Sequence, residues 1–453
     1  MKRDIITDPN PILREPAQPV ESFDMELQCT VDDMIDTMRN GNGIGLAAPQ
    51  IGVSKQIIVC ELDEGEEQSK IKKDSPYQPF PLTVICNPQI TMASKSKRKM
   101  VEGCLSFPGF EIVVSRPKEV TLKGKDRYGS DIEIRADKLF ARVLQHEFDH
   151  LNSTLLIDHL KQIDVVLFAG GDFALKTLEF LHTDRQYNIK AVVTTKQTSK
   201  TRGLEVDNNN VKKLAKKFGL KVIEIETLKT TETQDTLKKI NADLGVVVDF
   251  GLIIPNTITE LFQYKIINIH PSILPKYRGS SPIQSTILNG DKYAGITIML
   301  INEKMDAGPI LAQYKVKLKG RETYPILKEY LAELGASLLL DTIPYYITGE
   351  VKPRPQRESR AIYCNTINKS DGEVTEQTDP VMVDRMIRAY QPWPGVYTIR
   401  GDLRVQIVSA HLDKDKHLIL ETVKPAGKKE MSYQDFINGY RQELTFGENS
   451  DNI

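Results

Sequence analysis

Residues 145–174 read QHEFDHLNSTLLIDHLKQIDVVLFAGGDFA. The stretch opens with His146-Glu147-Phe148-Asp149-His150, an H-E-x-x-H pattern. On a helix, side chains four apart share a face, so both imidazoles can reach one metal ion while Glu147, one position round, can touch a water held there. It closes with the apolar run Val165-Val166-Leu167-Phe168-Ala169 and the turn Gly170-Gly171, the start of an α/β unit. No Gly/Ser-rich linker lies between. There is only an Asn-Ser turn and the apolar segment LLIDHL, which is expected to pack rather than to tether. The chain therefore reads as two catalytic units joined at this stretch.

Working outward, 453 residues exceed one ordinary core and predict two or three domains. A hydrophobic fraction of 40% and a charged fraction of 27% belong to a globular chain and exclude large-scale disorder. A net charge of -1 excludes a global pull on nucleic acid, so any RNA contact must come from local basic patches. The opening MKRDIITDPNPILREP lacks the apolar core of a secretory signal, and no apolar run approaches membrane-spanning length, so a cytoplasmic location is expected. Cys29, Cys60, Cys86, Cys104 and Cys364 form no paired framework, which suits a reducing compartment where a thiolate can serve as a ligand.

Before the metal-type helix, Val31, Met34, Ile35 and Met38 recur at helical spacing, and Gly41-Asn42-Gly43 predicts where that helix ends. Strand candidates follow at 55–62, 82–86, 112–115, 119–123 and 131–134, with the charged residues 63–74 as a surface loop. Several strands closed by one helix predict an α+β metal-hydrolase domain over 1–161. From Asp164 the continuous apolar strands VVLFA, KAVVT, LKVIEI and LGVVVDF alternate with the helical stretches VKKLAKKF and TLKKI. This is the pattern of an α/β Rossmann-like domain, a parallel sheet covered on both faces, expected over 162–350. EVKPRPQRES then marks a boundary. VYTI, RVQIV and HLILETV predict a small C-terminal β-barrel (OB-like) domain over 351–446, with a disordered tail at 447–453.

An H-E-x-x-H match alone also describes a helix with two surface histidines. Its company separates the readings. Cys104, in Glu102-Gly103-Cys104-Leu105-Ser106, offers a third ligand, and Gly43-Ile44-Gly45-Leu46-Ala47-Ala48-Pro49-Gln50 offers backbone amides and one carboxamide. An apolar cysteine is usually just buried and a glycine turn usually just turns, so the conjunction carries the argument. These three motifs, in order within residues 1–160, resemble those of peptide deformylases. The resemblance implies that Cys104, His146 and His150 bind a divalent metal, Fe2+ first and Zn2+ or Ni2+ next, with an open position for water. Glu147 would take the water's proton and return one to the leaving amine. Gln50 and the N–H of Leu105, with Gly45 in the same pocket, would hold the oxyanion. Many deformylases continue with a further helical tail, whereas here LIDHLK runs into QIDVV. The second unit is expected to cover the surface left by that tail, so a cut near Lys161 should destabilise the first.

In the second unit the turn at 169–174 lacks the full dinucleotide fingerprint, which argues against NAD. The informative stretch is Asn268-Ile269-His270-Pro271-Ser272-Ile273-Leu274-Pro275-Lys276-Tyr277-Arg278-Gly279, with Asp306 beyond it in MDAGPIL. An amide donor, a proton carrier and a carboxylate to orient it form a workable set, although a lone histidine after a strand is more often structural. These residues resemble the folate-dependent formyltransferases, which share Asn-x-His and a downstream Asp. The resemblance implies that Asn268 bonds the formyl oxygen and that His270 stabilises or shuttles charge. Asp306 would support His270 and proton removal from the attacking amine. Ser272, Ile273, Leu274 and Pro275 would line the pocket for 10-formyltetrahydrofolate. SSPIQ at 280–284, KPRPQ at 352–356, Lys369 with Asp371-Gly372, QPWPG at 391–395 and KPAGKKEMS at 424–432 make the span most similar to methionyl-tRNA formyltransferases. Lys200, Arg202, Lys428 and Lys429 would then meet tRNA phosphates. The first turn is one residue short, the loop at 195–206 is less basic than usual and the last domain is short. These departures predict weaker or differently arranged tRNA binding.

The basic run SKSKRK at 94–99 and the lysines of 211–217 are better explained as a solvated hairpin and the polar side of a packed helix. The sequence thus predicts a bifunctional enzyme that deformylates N-formylmethionyl nascent peptides and formylates methionyl-tRNA, near the ribosome and not on a membrane. One rival is a deformylase fused to a sugar-nucleotide or small-amine formyltransferase, which QPWPG and KPAGKKEMS disfavour. The other is a ribosome-associated binding protein with decayed sites, disfavoured because every candidate catalytic residue is present.

Overall fold

In the computed structural model, which describes residues 1–63, 75–196, 200–201, 204–205 and 209–447, the first long helix is Met25–Asn40. The Asp24 carboxylate accepts from the N–H of Leu27 at 3.1 Å, an N-cap for one orphan donor of the first turn. Leu27, Val31, Met34, Ile35 and Met38 form its buried face. The helix stops where the sequence predicts, yet Asn42 rather than a glycine takes the left-handed conformation, with φ 53°, and the N–H of Gly43 closes on the Met38 carbonyl at 2.9 Å.

The chain divides into two compact units, Met1–Lys161 and Gln162–Ile453. The first contains an antiparallel sheet in the order Gly45–Ala47, Ile57–Leu62, Phe80–Ala93, Glu119–Lys125, Asp131–Asp137, and a two-stranded ribbon of Lys97–Cys104 with Phe107–Pro117. Four strands outrun their sequence signals: 82–86 becomes Phe80–Ala93, 112–115 becomes Phe107–Pro117, 119–123 becomes Glu119–Lys125 and 131–134 becomes Asp131–Asp137. Cross-strand pairing extends them through polar residues that no apolar period marks. The expected loop at 63–74 lies, apart from Asp63, outside the described residues. Residues 95–99 are exposed where the ribbon begins.

Helix Lys138–Leu151 buries Leu139, Ala141, Val143 and Leu144, and with them Arg142, Gln145, His146, Glu147 and His150. Polar groups in such number are costly to bury unless each finds a partner, so this helix marks a site. Beyond it the chain turns at Ser153, and the short helix Leu156–His159 seats Leu156 against Ile112 and Val114 of the ribbon. The LLIDHL segment therefore packs, as expected.

The second unit is built on a seven-stranded sheet in the order Val222–Ile225, Tyr187–Thr195, Ile163–Ala169, Leu244–Val248, Ile266–His270, Tyr293–Leu300, Ile310–Lys317. The first five strands are parallel and the last two antiparallel, so the all-parallel expectation holds only in part. The connection at 301–309 is too short for the crossover that a parallel pair needs. Alternate residues of the strand Ile163–Ala169 serve opposite faces. Val165, Leu167 and Ala169 pack with Leu178 and Leu331 on one side, while Val166 and Phe168 pack with Leu237, Ile258 and Phe262 on the other. The chain winds outward in one direction from Ile163–Ala169 and in the opposite direction from Leu244–Val248. That reversal leaves a crevice at the strands' carboxyl ends, the place where open α/β sheets hold ligands.

After residue 350 the chain returns along the sheet edge: Arg354 bridges to Ile310, and Tyr363–Cys364 pairs in parallel with Arg278–Gly279. Helix Pro380–Ala389 follows, then the antiparallel strands Val396–Arg400, Leu403–Leu412, Leu418–Pro425 and Met431–Ser432, and helix Tyr433–Tyr440. Among the described residues no pairing joins the first of these strands to the last, so an open sheet stands where a barrel was expected. The fourth strand is only two residues long, and buried Phe436 of the last helix packs in this region's core instead. Val383, Val405, Val423 and Phe436 belong to the same apolar cluster as the seven-stranded sheet. Of the disordered tail expected at 447–453, Gly447 is described and its N–H donates to the Glu376 carbonyl at 2.7 Å, while 448–453 lie outside the described residues.

Candidate active sites

Helix Lys138–Leu151 sets His146 and His150 one turn apart with ring centroids 5.1 Å from each other, and the ribbon delivers Cys104, whose Sγ is 3.3 Å from His150 Nε2. One ligand atom from each of the three lies within 4.8 Å of the others, a spacing one cation can span. The two imidazoles are held differently. His146 Nδ1 is 3.1 Å from Glu102 Oε2, which leaves Nε2 for a ligand. Glu102 is clamped in turn by Arg116 at 2.7 and 3.0 Å and by Arg142, and Arg116 reaches on to Asp149 at 2.7 Å. His150 Nδ1 and Glu147 Oε2 are buried with no hydrogen-bond partner among the described residues. A cysteine sulfur beside two imidazoles is a donor set for a divalent transition metal, and an ion carrying a water would give the unpartnered Glu147 oxygen a partner.

Burial pushes the Glu147 carboxyl up to about 7, against the pull of His146 and Arg116. Burial likewise pushes His150 well below its ordinary value, towards the neutral form a ligand needs. Burial works to raise Glu102, yet hydrogen bonds from His146 and Arg116 hold it well below the usual carboxylate range. Gln50 is 1% exposed, and its amide is fixed at both ends: Oε1 accepts from Ala47 N at 2.8 Å, while Nε2 faces Ser106 Oγ at 3.2 Å and Cys104 Sγ at 3.5 Å. At Gly45 a Cβ would stand 2.3 Å from Glu147 Oε1, so the carboxylate lies on bare backbone. The Leu105 side chain covers Gly43 in the same way, 2.8 Å from where a Cβ would be. The structure thus gathers Gly45, Gln50, Cys104, Leu105, His146, Glu147 and His150. Sequence reasoning missed the arginine clamp. Glu102, two residues before Cys104, was its only local signal.

In the second unit a cavity of about 440 Å³ opens at the carboxyl ends of the parallel strands, and Asn268, His270 and Asp306 all line it. His270 Nε2 is 2.8 Å from the Tyr277 carbonyl, an acceptor, so this nitrogen carries the proton. Nδ1 then faces Asp306 Oδ1 at 3.6 Å, while Asp306 Oδ2 accepts from the N–H of Gly279 at 2.8 Å. Ser272, Ile273, Leu274 and Pro275 do not line this cavity. Ser272 and Leu274 are buried, the Ser272 hydroxyl donates to the Lys276 carbonyl at 2.6 Å, and Gln313 Nε2 donates to the Leu274 carbonyl at 2.8 Å. The loop is a brace behind His270. The apolar wall comes instead from Phe250 to Ile254, whose available signal was the apolar run LII directly after a strand.

The glycine turn is engaged within the protein. Gly170 and Gly171 N–H donate to the Asp249 carbonyl at 3.1 and 3.0 Å, and a Cβ on Gly171 would stand 1.9 Å from Asp249 Oδ2. Of the expected tRNA contacts, Arg202 lies outside the described residues, and Lys200 is described only as backbone in the short pair Lys200–Thr201 with Leu204–Glu205. Lys428 and Lys429 are exposed in the turn before Met431–Ser432.

Among the described residues no helix is long and apolar enough to cross a membrane. Residues 2–165 match the polypeptide deformylase family, 161–343 the formyl transferase family and 366–419 the formyl transferase C-terminal domain. The methionyl-tRNA formyltransferase of Roseiflexus castenholzii is 36% identical over 63% of this chain and 97% of its own length, and that of Pseudoalteromonas translucida 33% over 62% and 96%. Among solved structures, the peptide deformylase of Ehrlichia chaffeensis is 38% identical over 36% of this chain and 89% of that one, with a TM-score of 0.32. The enzyme of Thermotoga maritima is 35% identical over 36% and 99%, with a TM-score of 0.31. The chain belongs to the methionyl-tRNA formyltransferases, with a polypeptide deformylase domain ahead of the formyltransferase domains in the same polypeptide.

Proposed function

We propose that the chain is a bifunctional cytoplasmic enzyme: one unit formylates methionyl-tRNA at the expense of 10-formyltetrahydrofolate, and the other removes formyl from nascent N-formylmethionyl peptides near the ribosome. The observation that carries this is that Asn268 and His270 of the strand Ile266–His270 meet Asp306 of the 301–309 connection in one cavity, while Cys104, His146, Glu147 and His150 meet in another unit of the same chain.

In the first unit Cys104 Sγ and the two imidazoles would hold a divalent cation, ferrous iron proposed ahead of zinc and nickel, which would supply Lewis acidity to the formyl oxygen and to water. Glu147 takes the proton of the attacking water. As the water oxygen bonds to the formyl carbon, Gln50 Nε2 and the N–H of Leu105 donate to the developing oxyanion. Glu147 then returns the proton to the leaving nitrogen, the C–N bond breaks, and formate and a free amine depart. In the second unit the methionyl amine attacks the formyl carbon of the folate donor. Asn268 and His270 stabilise the oxyanion, Asp306 accepts the amine's proton, and the bond from the formyl carbon to the donor nitrogen breaks as that nitrogen takes the same proton back from Asp306. The Rossmann-like sheet and the wall at 250–254 hold the donor, and the small C-terminal domain, whose OB-like character was the sequence expectation, offers Lys428 and Lys429 to acceptor-stem phosphates.

The test is a separation of functions in the full chain, reading hydrolysis of formyl-Met-Ala and formylation of methionyl-tRNA, with sugar-nucleotide amines as competing acceptors. Glu147→Gln is expected to abolish deformylation and spare transfer, and His270→Ala to do the reverse. Loss of both activities in each variant would refute two independent sites, and preference for a sugar acceptor would refute the tRNA assignment.

A further inference from the structure

The KPRPQ segment passes directly behind Asp306. Arg278 is fully buried, and its guanidinium donates to Gln356 Oε1 at 2.9 and 3.1 Å, to Glu358 at 3.0 Å and to the Tyr363 hydroxyl at 3.0 Å. With Oε1 committed as acceptor, the Gln356 carboxamide has a fixed orientation, and its Nε2 donates to the carbonyls of Asp306 and Gly308, each at 2.8 Å. Asp306 has φ 48°, in the left-handed region that L-residues populate sparsely, and the two bonds from Gln356 hold the backbone there. Its carboxylate is fixed by the N–H of Gly279, the residue after Arg278. Arg278 and its neighbour thus brace Asp306 from two sides, Gly279 at the carboxylate and Gln356 at the backbone.

We propose that Gln356 is a positioning residue for formyl transfer, holding the left-handed backbone of Asp306 so that its carboxylate faces His270 and the incoming amine. The inference deepens the formyl-transfer reading and rests on it. The competing role, a plain anchor of the segment to Arg278, calls only for an acceptor at position 356. Gln356→Glu separates the two, because it keeps length and acceptor, adds a charge for the guanidinium and removes both donors.

In the full chain, with 10-formyltetrahydrofolate and methionyl-tRNA, Gln356→Glu is expected to lose roughly ten- to a hundredfold in kcat, the scale of a misplaced catalytic group. Its KM for the donor should stay within about twofold, the signature of a group that acts on the transition state and not on binding. Gln356→Met, without acceptor or donors, should show at least the same loss. Wild-type kcat in the Glu variant, with or without a loss in the Met variant, overturns the proposal. Melting curves report whether each variant folds. Should the Glu variant fail to fold, a Met variant with wild-type kcat overturns the proposal, one whose kcat falls at constant KM and unchanged melting temperature supports it, and one whose melting temperature falls along with kcat assigns the loss to the anchor and overturns it. A wild-type chain that transfers no formyl group at all sinks the formyl-transfer reading, and this proposal with it.

Discussion

At Gly45 the smallest residue decides what Glu147 can do. The carboxylate rests on the strand Gly45–Ala47 where a methyl group would stand 2.3 Å from Oε1 and 2.7 Å from Val143 Cγ1. Neither the strand nor the packed helix yields easily, so Gly45→Ala must push Glu147 off its position. Deformylation of formyl-Met-Ala is expected to fall roughly a hundredfold, the cost of an ångström's misplacement, while formylation by the same sample stays near wild type. An alanine variant that still deformylates at the wild-type rate would show that this contact is dispensable. Much of the site at this scale was legible, because His146 and His150 stand four apart and a helix turns that spacing into proximity. Arg116 and Arg142 were not legible. They reach Glu102 from 14 and 40 residues away, and an arginine in a strand or helix carries no local mark of being buried.

Among elements, the loop after the Asn-x-His strand was expected to line the donor pocket, and the loop after Leu244–Val248, to which the sequence reading gave no role, lines the cavity. Both are short, apolar and follow strands of one sheet, so composition cannot say which faces the crevice. Hydrogen bonds decide it. Ser272 to Pro275 is bound to Thr297, Lys276 and Gln313, while Ile253 of the other loop is 75% exposed at the cavity wall. An apolar side chain left so open in a cavity is free to cover a ligand's ring. Ile253→Asp is therefore expected to raise KM for the formyl donor by about tenfold or more, the worth of one buried aliphatic side chain. An unchanged KM would return the donor site to another wall. The register of the last two sheet strands was also out of reach of the sequence, since buried strands look alike whether they run parallel or antiparallel, and only the short span at 301–309 forces the hairpin that carries Asp306.

For the whole molecule, the division at Lys161/Gln162 was visible because two unlike periodicities abut there, whereas the continuity of the second unit's core across residue 350 was hidden by a proline-rich stretch that composition marks as a boundary. The abutment itself has a consequence for the protein's fate in a cell. Only Leu160, Lys161 and Gln162 separate the helix Leu156–His159 from the strand that begins at Ile163, and both flanks are fastened: Leu160 N–H to the Ile157 carbonyl at 3.1 Å, Ile163 N–H to the Gln186 carbonyl at 2.8 Å. A protease has to draw an extended run of backbone into its cleft, and exposed loop tips supply that more readily than a junction tied at both ends. Limited trypsin digestion is expected to leave the bond after Lys161 intact while earlier cuts accumulate elsewhere; prompt release of fragment 1–161 would contradict this. With that bond protected, the enzyme that places the formyl group and the enzyme that removes it are synthesised, inherited and degraded as one object, and their ratio is not open to adjustment by turnover.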